Sequence, residues 1–449
     1  MKATVLVIDG GGRGHVLVQK YLESPHIKNV FAIPGNDLML ENNGSRVKIF
    51  QSVKTTDIDK IKRICKSEKV DLIDVVQDDA VFAGLVDKLV SCGFNVLGPT
   101  KAAGQIEWDK AWAREFMKKN NIPIPAFKIC NSEKEGINFL KSQEERQWYV
   151  KASGLAAGKG ALIAKTNQEA VENIKKMAKF GDSGKTYLIE ECLHGEEFSS
   201  FAIVDQNDFL IVGHAQDHKT IYDGNLGLNT GGMGCSSPPM VVTKNIKNQI
   251  ELIFKKTVEG LGKIKRPYRG VLYLGGIIVK EKGLAHRSFS EGRVYVIEFN
   301  ARWGDPEAQV IVPSIKNDFY EIASMVLSGN IKRIKIKKDN FYRIAVTAAA
   351  RGYPQDYTKV LGKKIYGLDR IKKIKGVEVF AAGVKKSNGN YLVNGGRLFY
   401  VVSEGKNVAE ARKIAYNAFS QAYIEGNNLH YRTDIGYRDL ERYYAKRKT

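Results

Sequence analysis

Lys151-Ala-Ser-Gly-Leu-Ala-Ala-Gly-Lys-Gly160 follows a short apolar strand pattern at Trp148–Val150. Its small residues allow a backbone to close over a triphosphate, and Lys151 and Lys159 supply positive charge. It is not a P-loop, because only three residues separate Gly154 from Gly158 and Gly160 stands where Ser or Thr would hold magnesium. Two readings remain, a glycine-rich lid over phosphates or a glycine-rich hairpin of the same composition. What the rest of the chain offers to a metal and a nucleotide decides between them.

Val294-Tyr-Val-Ile-Glu-Phe-Asn-Ala-Arg-Trp-Gly-Asp-Pro-Glu-Ala-Gln309 makes that offer. Strand alternation predicts Val296, Glu298 and Asn300 on one face and Tyr295, Ile297 and Phe299 on the other. Glu298 and Asn300 then present two hard oxygens side by side, which suits Mg²⁺ bound to phosphates. Arg302 is placed to hold a transferred phosphoryl group.

Other segments carry weaker signals. Gly10-Gly-Gly-Arg-Gly-His15, between a strand and a helix, offers backbone N–H groups to an anion, or is a tight turn that needs glycines. His15 stands where a dinucleotide fingerprint has its last glycine, so NAD binding is not favoured. Leu188-Ile-Glu-Glu-Cys-Leu-His-Gly-Glu-Glu197 reads as a strand whose end either meets an adenine edge and ribose hydroxyls or is a solvated acidic turn. Ala215-Gln-Asp-His-Lys219 and Asn229-Thr-Gly-Gly-Met-Gly234 are loops that a ligand would help to order. His214 and His218 have the spacing of a helical metal pair, but their glycine-rich context argues against zinc.

The 449 residues exceed one simple core. Alternating strands (Thr4–Asp9, Asn29–Ile33, Leu72–Val76, Asn95–Leu97) and helices (His15–Glu23, Phe82–Ser91) in the first hundred predict a doubly wound parallel sheet. One helix is expected from Thr100 to about Asn120, with Trp108, Trp112 and Phe116 on its core face. The last ~120 residues read as strand-rich, with turns at Asn388-Gly389 and Asn394-Gly395-Gly396 and a helix from Val408 to about Glu425. The net charge of +21 is spread along the chain, so it favours phosphorylated metabolites over nucleic acid as partners. Ile331–Lys338, its densest stretch, alternates Ile with Lys or Arg as a half-solvated strand would. Five scattered cysteines, no membrane span and no signal-peptide core together predict a cytoplasmic protein.

Taken together, these segments resemble the phosphoribosylamine–glycine ligase family of the ATP-grasp superfamily. The motifs run in order: Gly11–Arg13, Gly98–Thr100, Lys151–Gly160, Ile189–Glu197, Ala215–Lys219, Asn229–Gly234, Glu298–Gln309, Gly352–Pro354, Asn394–Arg397 and Asp434–Tyr437. The resemblance implies a mixed α/β chain. It would have a pre-ATP-grasp N-domain (1–103), an ATP-grasp domain (104–331, with a lid subdomain at about 122–192) and a small strand-rich C-terminal domain (332–449).

For ATP the resemblance implies Lys110, Lys151, Gly158 and Lys159 on phosphates, Glu190, Glu191 and Leu193 at the adenine, and Glu197 at the ribose. Glu298 and Asn300 would hold Mg²⁺ (or Mn²⁺). Lys151, Arg302, Asp217 and Lys219 are the catalytic candidates. Gly12, Arg13, Asp79, Asp217, Lys219, Asn229, Gly231, Arg302 and Asp305 would bind glycine and 5-phosphoribosylamine.

The implied reaction makes glycyl phosphate from glycine and ATP, and the amine then displaces phosphate. The protein would be a monomer or small homo-oligomer. The alternatives are a paralogous ligase with another phosphorylated amine, or a non-catalytic nucleotide- or nucleic-acid-binding protein. Departures from the family pattern are Gly14 for Glu, Gln77-Asp78-Asp79 for Gly-Pro-Glu, Ser153 for Asp, Asp109 for a small residue and Thr220 for Arg.

Overall fold

Buried β-branched strands open the chain. A computed structural model describes residues 2–41, 43–156, 159–280 and 291–447. Ala3–Asp9 is buried at every position and lies at the centre of a five-stranded parallel sheet. The spatial order is Val47–Ile49, Ile27–Pro34, Ala3–Asp9, Leu72–Val75, Val96–Leu97. The order reverses at Ala3–Asp9, which opens a crevice beyond its C-terminal end, where Gly10 and Gly11 lead into the helix Gly12–Leu22. The edge strand Val47–Ile49 has only three residues, too few to show a sequence period.

The helix expected from Thr100 to Asn120 is two helices, Lys101–Trp108 and Lys110–Lys119. Asp109 breaks it, with extended backbone and a carboxylate that caps the second helix at the N–H of Trp112. Phe116 is buried, while Trp108 and Trp112 are only half-buried. The segment Phe82–Ser91 is likewise divided, because Gly84, at φ +84°, ends Asp78–Ala83 and starts Leu85–Ser91.

A small antiparallel sheet follows, in the order Phe127–Cys130, Tyr187–Glu191, Trp148–Ala152, Ala161–Ala164. Helices Glu133–Lys141 and Asn167–Lys176 bury Leu140, Ala170 and Ile174 against it. A long antiparallel sheet then runs through the molecule. Its order is Arg293–Asn300, Arg269–Val279, Glu196–Asp205, Phe209–Asp217, Gly234–Ser237, Tyr342–Ala350, Arg397–Gly405, Val377–Ala381. Tyr342–Ala350 pairs with Gly234–Ser237, so one sheet carries the backbone from the middle of the chain into its last third.

The C-terminal third adds a second sheet with the hairpin Val384–Ser387/Asn390–Val393. Asn388 and Gly389 both have positive φ there, the backbone a two-residue hairpin turn demands. The helix Val408–Phe419 stops earlier than its pattern predicts, because Tyr423–Ile424 pairs with Lys364–Tyr366. Ile331–Lys338 is not a sheet strand. The N–H of Ile331 is held by Asp205, a short 3₁₀ turn follows, and the rest is an extended strap whose Ile334 and Ile336 pack on the core. The Ile/Lys alternation is real, but the strap's bonds go to the loop around Asn317.

Sequence alternation also fails at one functional point. In the pairing of Arg293–Asn300 with Arg269–Val279, Gly275 faces Glu298 and the next residue, Gly276, faces Val296, so Ile297 is an extra, bulged residue. The bulge reverses the phase. Val294 and Val296 before it and Phe299 and Ala301 after it all enter the same hydrophobic cluster. Glu298 and Asn300 therefore do not share a face with Val296, as the simple period predicts.

His15 ties the first helix to the C-terminal third. Its Nδ1 accepts from the N–H of Ala381, and its ring meets Phe380 edge-on. Burial, then Lys372, lower its pKa from 6.5 to about 3. The unfolded chain therefore takes up a proton below pH 6.5 that the folded chain refuses, and stability present above that pH is lost as the pH falls. The stability gap between the wild type and His15→Gln, from urea unfolding, should narrow by about 1.6 kcal/mol in all between pH 6.5 and 5. A gap independent of pH would mean that His15 titrates normally in the fold.

Candidate active site

Four strands of the long sheet form the floor of a cleft. Glu197 and Ser199 come from Glu196–Asp205, Asp217 and Lys219 from the end of Phe209–Asp217, Gly275 from Arg269–Val279 and Ile297 from the bulge. Lys219 Nζ lies 3.2 Å from Glu197 Oε2. Asp217 is the unusual member. Its Oδ1 is buried without a hydrogen-bond partner, and burial and Glu307 push its pKa well above the usual carboxylate range. The backbone of Gly232 passes so close that a Cβ there would lie 3.0 Å from that same oxygen.

Beyond the bulge, Asn300 Nδ2 is 3.5 Å from Glu298 Oε1, so the carboxylate and the amide are neighbours. Burial opposes ionisation of Glu298, but Lys219, Lys110, Lys151 and Arg302 outweigh it and hold the carboxyl below its usual range. Three of these cations also have acids of their own, Lys219 with Glu197, Lys151 with Glu190 and Arg302 with Glu107, so charges of both signs are concentrated around Glu298. The amide turns its Nδ2 to Glu298 and its Oδ1 to Arg302, and rotating that amide by half a turn would put a second hard oxygen beside the carboxylate, a pair that fits a hard divalent cation. Arg302 is itself aimed by Glu107 at 3.0 Å, Asn300 Oδ1 at 3.1 Å and the carbonyl of Trp303 at 3.1 Å.

The small antiparallel sheet forms the facing wall. Lys151 leaves its strand toward the cleft and pairs with Glu190 at 2.6 Å. The Glu190 carboxylate, 1% exposed, is thereby fully engaged, and its pKa is about 2, because Arg114 and Lys151 overcome its burial. Glu191 and Leu193 are half-buried in the short connection between the two sheets. Lys159 is exposed, and Gly158 lies outside the described residues. The base of the loop is tied down, with Gly154 N–H bonded to the Ser183 carbonyl and Ser183 Oγ to that of Leu155.

The N-terminal sheet adds less than its glycines promise. Asp9 Oδ1 accepts from Gly11 N–H and Oδ2 from Arg13 Nε at 2.6 Å, so the anion at this helix start is the protein's own carboxylate. Arg13 also donates to the Trp303 carbonyl at 3.0 Å and to Gln77 at 2.7 Å, which makes it a strut between domains. Gly12 packs against Tyr400 and Gln309 with no room for a side chain. Asp79 is exposed and bonded to Thr55 Oγ1 at 2.6 Å, while Asp78 is the acid that acts electrostatically on Arg302.

Asn229 is exposed at the end of a hairpin. Gly231 and Asp305 are held by Arg397, which donates to the carbonyls of both and approaches Asp305 Oδ1 at 3.5 Å. His214 Nδ1 pairs with Ser200 Oγ and His218 Nε2 accepts from Gly436 N–H, and the two lie in or just after the strand Phe209–Asp217, not on a helix. Sequence reasoning missed Glu107, Glu307, Arg114 and Arg397. Arg397 and Glu307 lie in motifs that the resemblance marks, Asn394–Arg397 and Glu298–Gln309, but Glu107 and Arg114 sit in ordinary helical contexts.

Ser153 and Asp109, two of the departures, touch each other. Ser153 Oγ donates to Asp109 Oδ1 at 2.8 Å and accepts from Ala111 N–H at 2.9 Å, and the Ser153 carbonyl receives Lys110 N–H. The acid that the family carries at position 153 is thus supplied from position 109, across the same contact. Gly14 follows the same logic, since a Cβ there would lie 2.6 Å from that of Asp9, the carboxylate now beside Arg13.

Comparison with known proteins agrees in extent and order. The chain matches three family models: phosphoribosylglycinamide synthetase N domain at residues 3–107, its ATP-grasp (A) domain at 108–308 and its C domain at 343–438. It is 36% identical over 438 residues to a phosphoribosylamine–glycine ligase of Caldanaerobacter subterraneus, covering 96% of this chain and 99% of that one. It is 37% identical over 446 residues to the bovine trifunctional purine biosynthetic protein adenosine-3, covering 98% of this chain and 42% of that longer protein. The crystal structure of a phosphoribosylamine–glycine ligase from Thermotoga maritima superposes with a TM-score of 0.80 at 29% identity, covering 97% of this chain and 100% of that one.

The exchanged pair generates a prediction. Ser153→Asp places two carboxylates in contact under the lid and should lower turnover and melting temperature, by about 1 kcal/mol or more for like charges without a counter-ion. Adding Asp109→Ser should restore both. Independent, additive losses in a double-mutant cycle would show that the two positions are not coupled.

Proposed function

As the chain belongs to the phosphoribosylamine–glycine ligase family, we propose that it joins glycine to 5-phosphoribosylamine with ATP, releasing ADP and phosphate. The observation that carries this reading is Glu298 beside Asn300 under four cations, opposite a glycine-rich loop that begins at Lys151.

ATP would lie between the two sheets. Lys110, Lys151 and Lys159 face its phosphates, the Glu190–Leu193 connection meets the adenine through its main chain, and Glu197 takes the ribose. Mg²⁺ (or Mn²⁺), when held by Glu298 and Asn300, supplies charge neutralisation to the phosphates. Arg302, fixed by Glu107 and Asn300, offsets the charge that develops as the glycine carboxylate attacks the γ-phosphorus and ADP departs. The acyl phosphate needs a dry cleft, which the loop over Lys151 provides when it covers the nucleotide. The amine of 5-phosphoribosylamine then attacks the acyl carbon, the C–N bond forms and phosphate leaves. Asp217, whose Oδ1 has no hydrogen-bond partner, is suited to take the proton that the amine loses when its carboxyl is ionised. Lys219 and Arg302 steady the carboxyl oxygens. Asn229, Gly231 and Asp305 border the side from which the amine enters.

No side-chain nucleophile is required. ADP release, followed in a coupled assay, should need glycine and 5-phosphoribosylamine together; full turnover without the amine would overturn the assignment. Glu298→Gln should leave the melting temperature near that of the wild type and cut turnover by on the order of 10² or more. A full-rate variant would remove Glu298 from the metal site.

A further inference from the structure

Arg114 is not itself among the positions proposed to touch substrate or metal, and it is 3% exposed, one helical turn beyond Lys110. Its Nε and one terminal nitrogen donate to the two oxygens of Glu190 at 2.6 and 2.9 Å. The same guanidinium donates to the carbonyl of Val296 at 3.3 Å and to that of Ile297 at 2.7 Å. These two carbonyls belong to the bulge that turns Glu298 and Asn300 away from the core.

A bulged residue leaves the ladder, and its buried polar groups must find other partners. On the donor side Val296 N–H goes to the Pro123 carbonyl. On the acceptor side Arg114 serves two consecutive carbonyls while its remaining donors grip a carboxylate bidentately. Only a planar fork with five N–H groups can do both, and a lysine ammonium cannot.

We propose that Arg114 is a positioning residue that holds the bulge at Ile297 and so aims Glu298 and Asn300 at the metal, while its grip on Glu190 keeps the lid strand and Lys151 in register with them. This rests on Glu298 and Asn300 being the metal ligands. Arg114 therefore acts on metal affinity through the backbone, without touching metal or nucleotide.

The test measures Mn²⁺ binding in the presence of ADP, by the electron paramagnetic resonance signal of free Mn²⁺. It uses the full chain as wild type, Arg114→Lys and Glu298→Gln, with a thermal melt of each. Arg114→Lys keeps the charge beside Glu190 but not the two carbonyl bonds, and its Mn²⁺ affinity should fall by about 10-fold or more. Its affinity for ADP without metal should stay close to that of the wild type. A lower melting temperature with unchanged Mn²⁺ affinity would mean a purely structural role and would overturn the proposal. If Glu298→Gln loses Mn²⁺ while Arg114→Lys retains it, the metal site stands and the role of Arg114 falls. If Glu298→Gln itself retains Mn²⁺, the metal assignment fails and this inference fails with it. Should Arg114→Lys not fold, Arg114→Gln serves instead, because it leaves Glu190 and Lys151 paired with each other and neither charge alone. It should fold and bind Mn²⁺ weakly, and wild-type Mn²⁺ affinity in it would also overturn the proposal.

Discussion

The buried contact between Arg114 and Glu190 governs the geometry of the phosphate-facing surfaces. Both side chains are almost wholly out of water, where an isolated charge is unaffordable and a bidentate pair is tolerated. Glu190 also receives Lys151, so one carboxylate is shared by two cations on two separate elements. Removing one partner of such a pair costs about 3–5 kcal/mol, because the remaining charge is left without compensation. The contact unites a helix, the strand Tyr187–Glu191 of the small sheet and the edge strand Arg293–Asn300 of the large one. Lys110, Lys151 and Glu298, from these different elements, thereby act on one another across a single cleft.

Around that node the domains are joined by arginines whose donors are occupied by the protein itself. Arg13 spans from Asp9 and Gln77 in the N-terminal sheet to the Trp303 carbonyl, and Arg397 spans from the C-terminal strands to Gly232 and Asp305. Both loops they hold, at Gly231–Gly232 and Trp303–Asp305, border the orphaned oxygen of Asp217. The charge is unevenly arranged: cations crowd Glu298, whereas Asp217 is faced by another acid, Glu307.

The departures from the family pattern look like drift along the chain, but in space those at Asp109, Ser153, Gly14 and Thr220 are each met by another residue. Asp109 and Ser153 exchange donor and acceptor across one hydrogen bond. Asp9 stands in the space that a side chain at Gly14 would require. At Thr220, where the family has Arg, the guanidinium of Arg432 arrives from far along the chain and bonds both the carbonyl and the hydroxyl. Each exchange keeps a local balance of charge or hydrogen bonding, since a buried polar group without a partner is costly wherever it comes from.

The local patterns of the chain were enough to settle the parallel N-terminal sheet, the lid strand before Lys151 and the presence of Glu298 and Asn300 on one strand. Those features depend on periods of two and 3.6 residues and on turn chemistry, which neighbouring residues carry by themselves. The Asn388-Gly389 hairpin belongs with them, because its positive φ values are a property of those two residues. Tertiary structure alone decided the break at Asp109, the strap at Ile331–Lys338 and the role of Asp9 as the anion beside Arg13. It also decided which face Glu298 takes, because the bulge at Ile297 adds one residue and reverses the alternation. A single extra residue leaves no mark in composition or spacing. It is held there by carbonyl bonds to Arg114, 182 and 183 positions away in the chain, a separation that no local pattern spans.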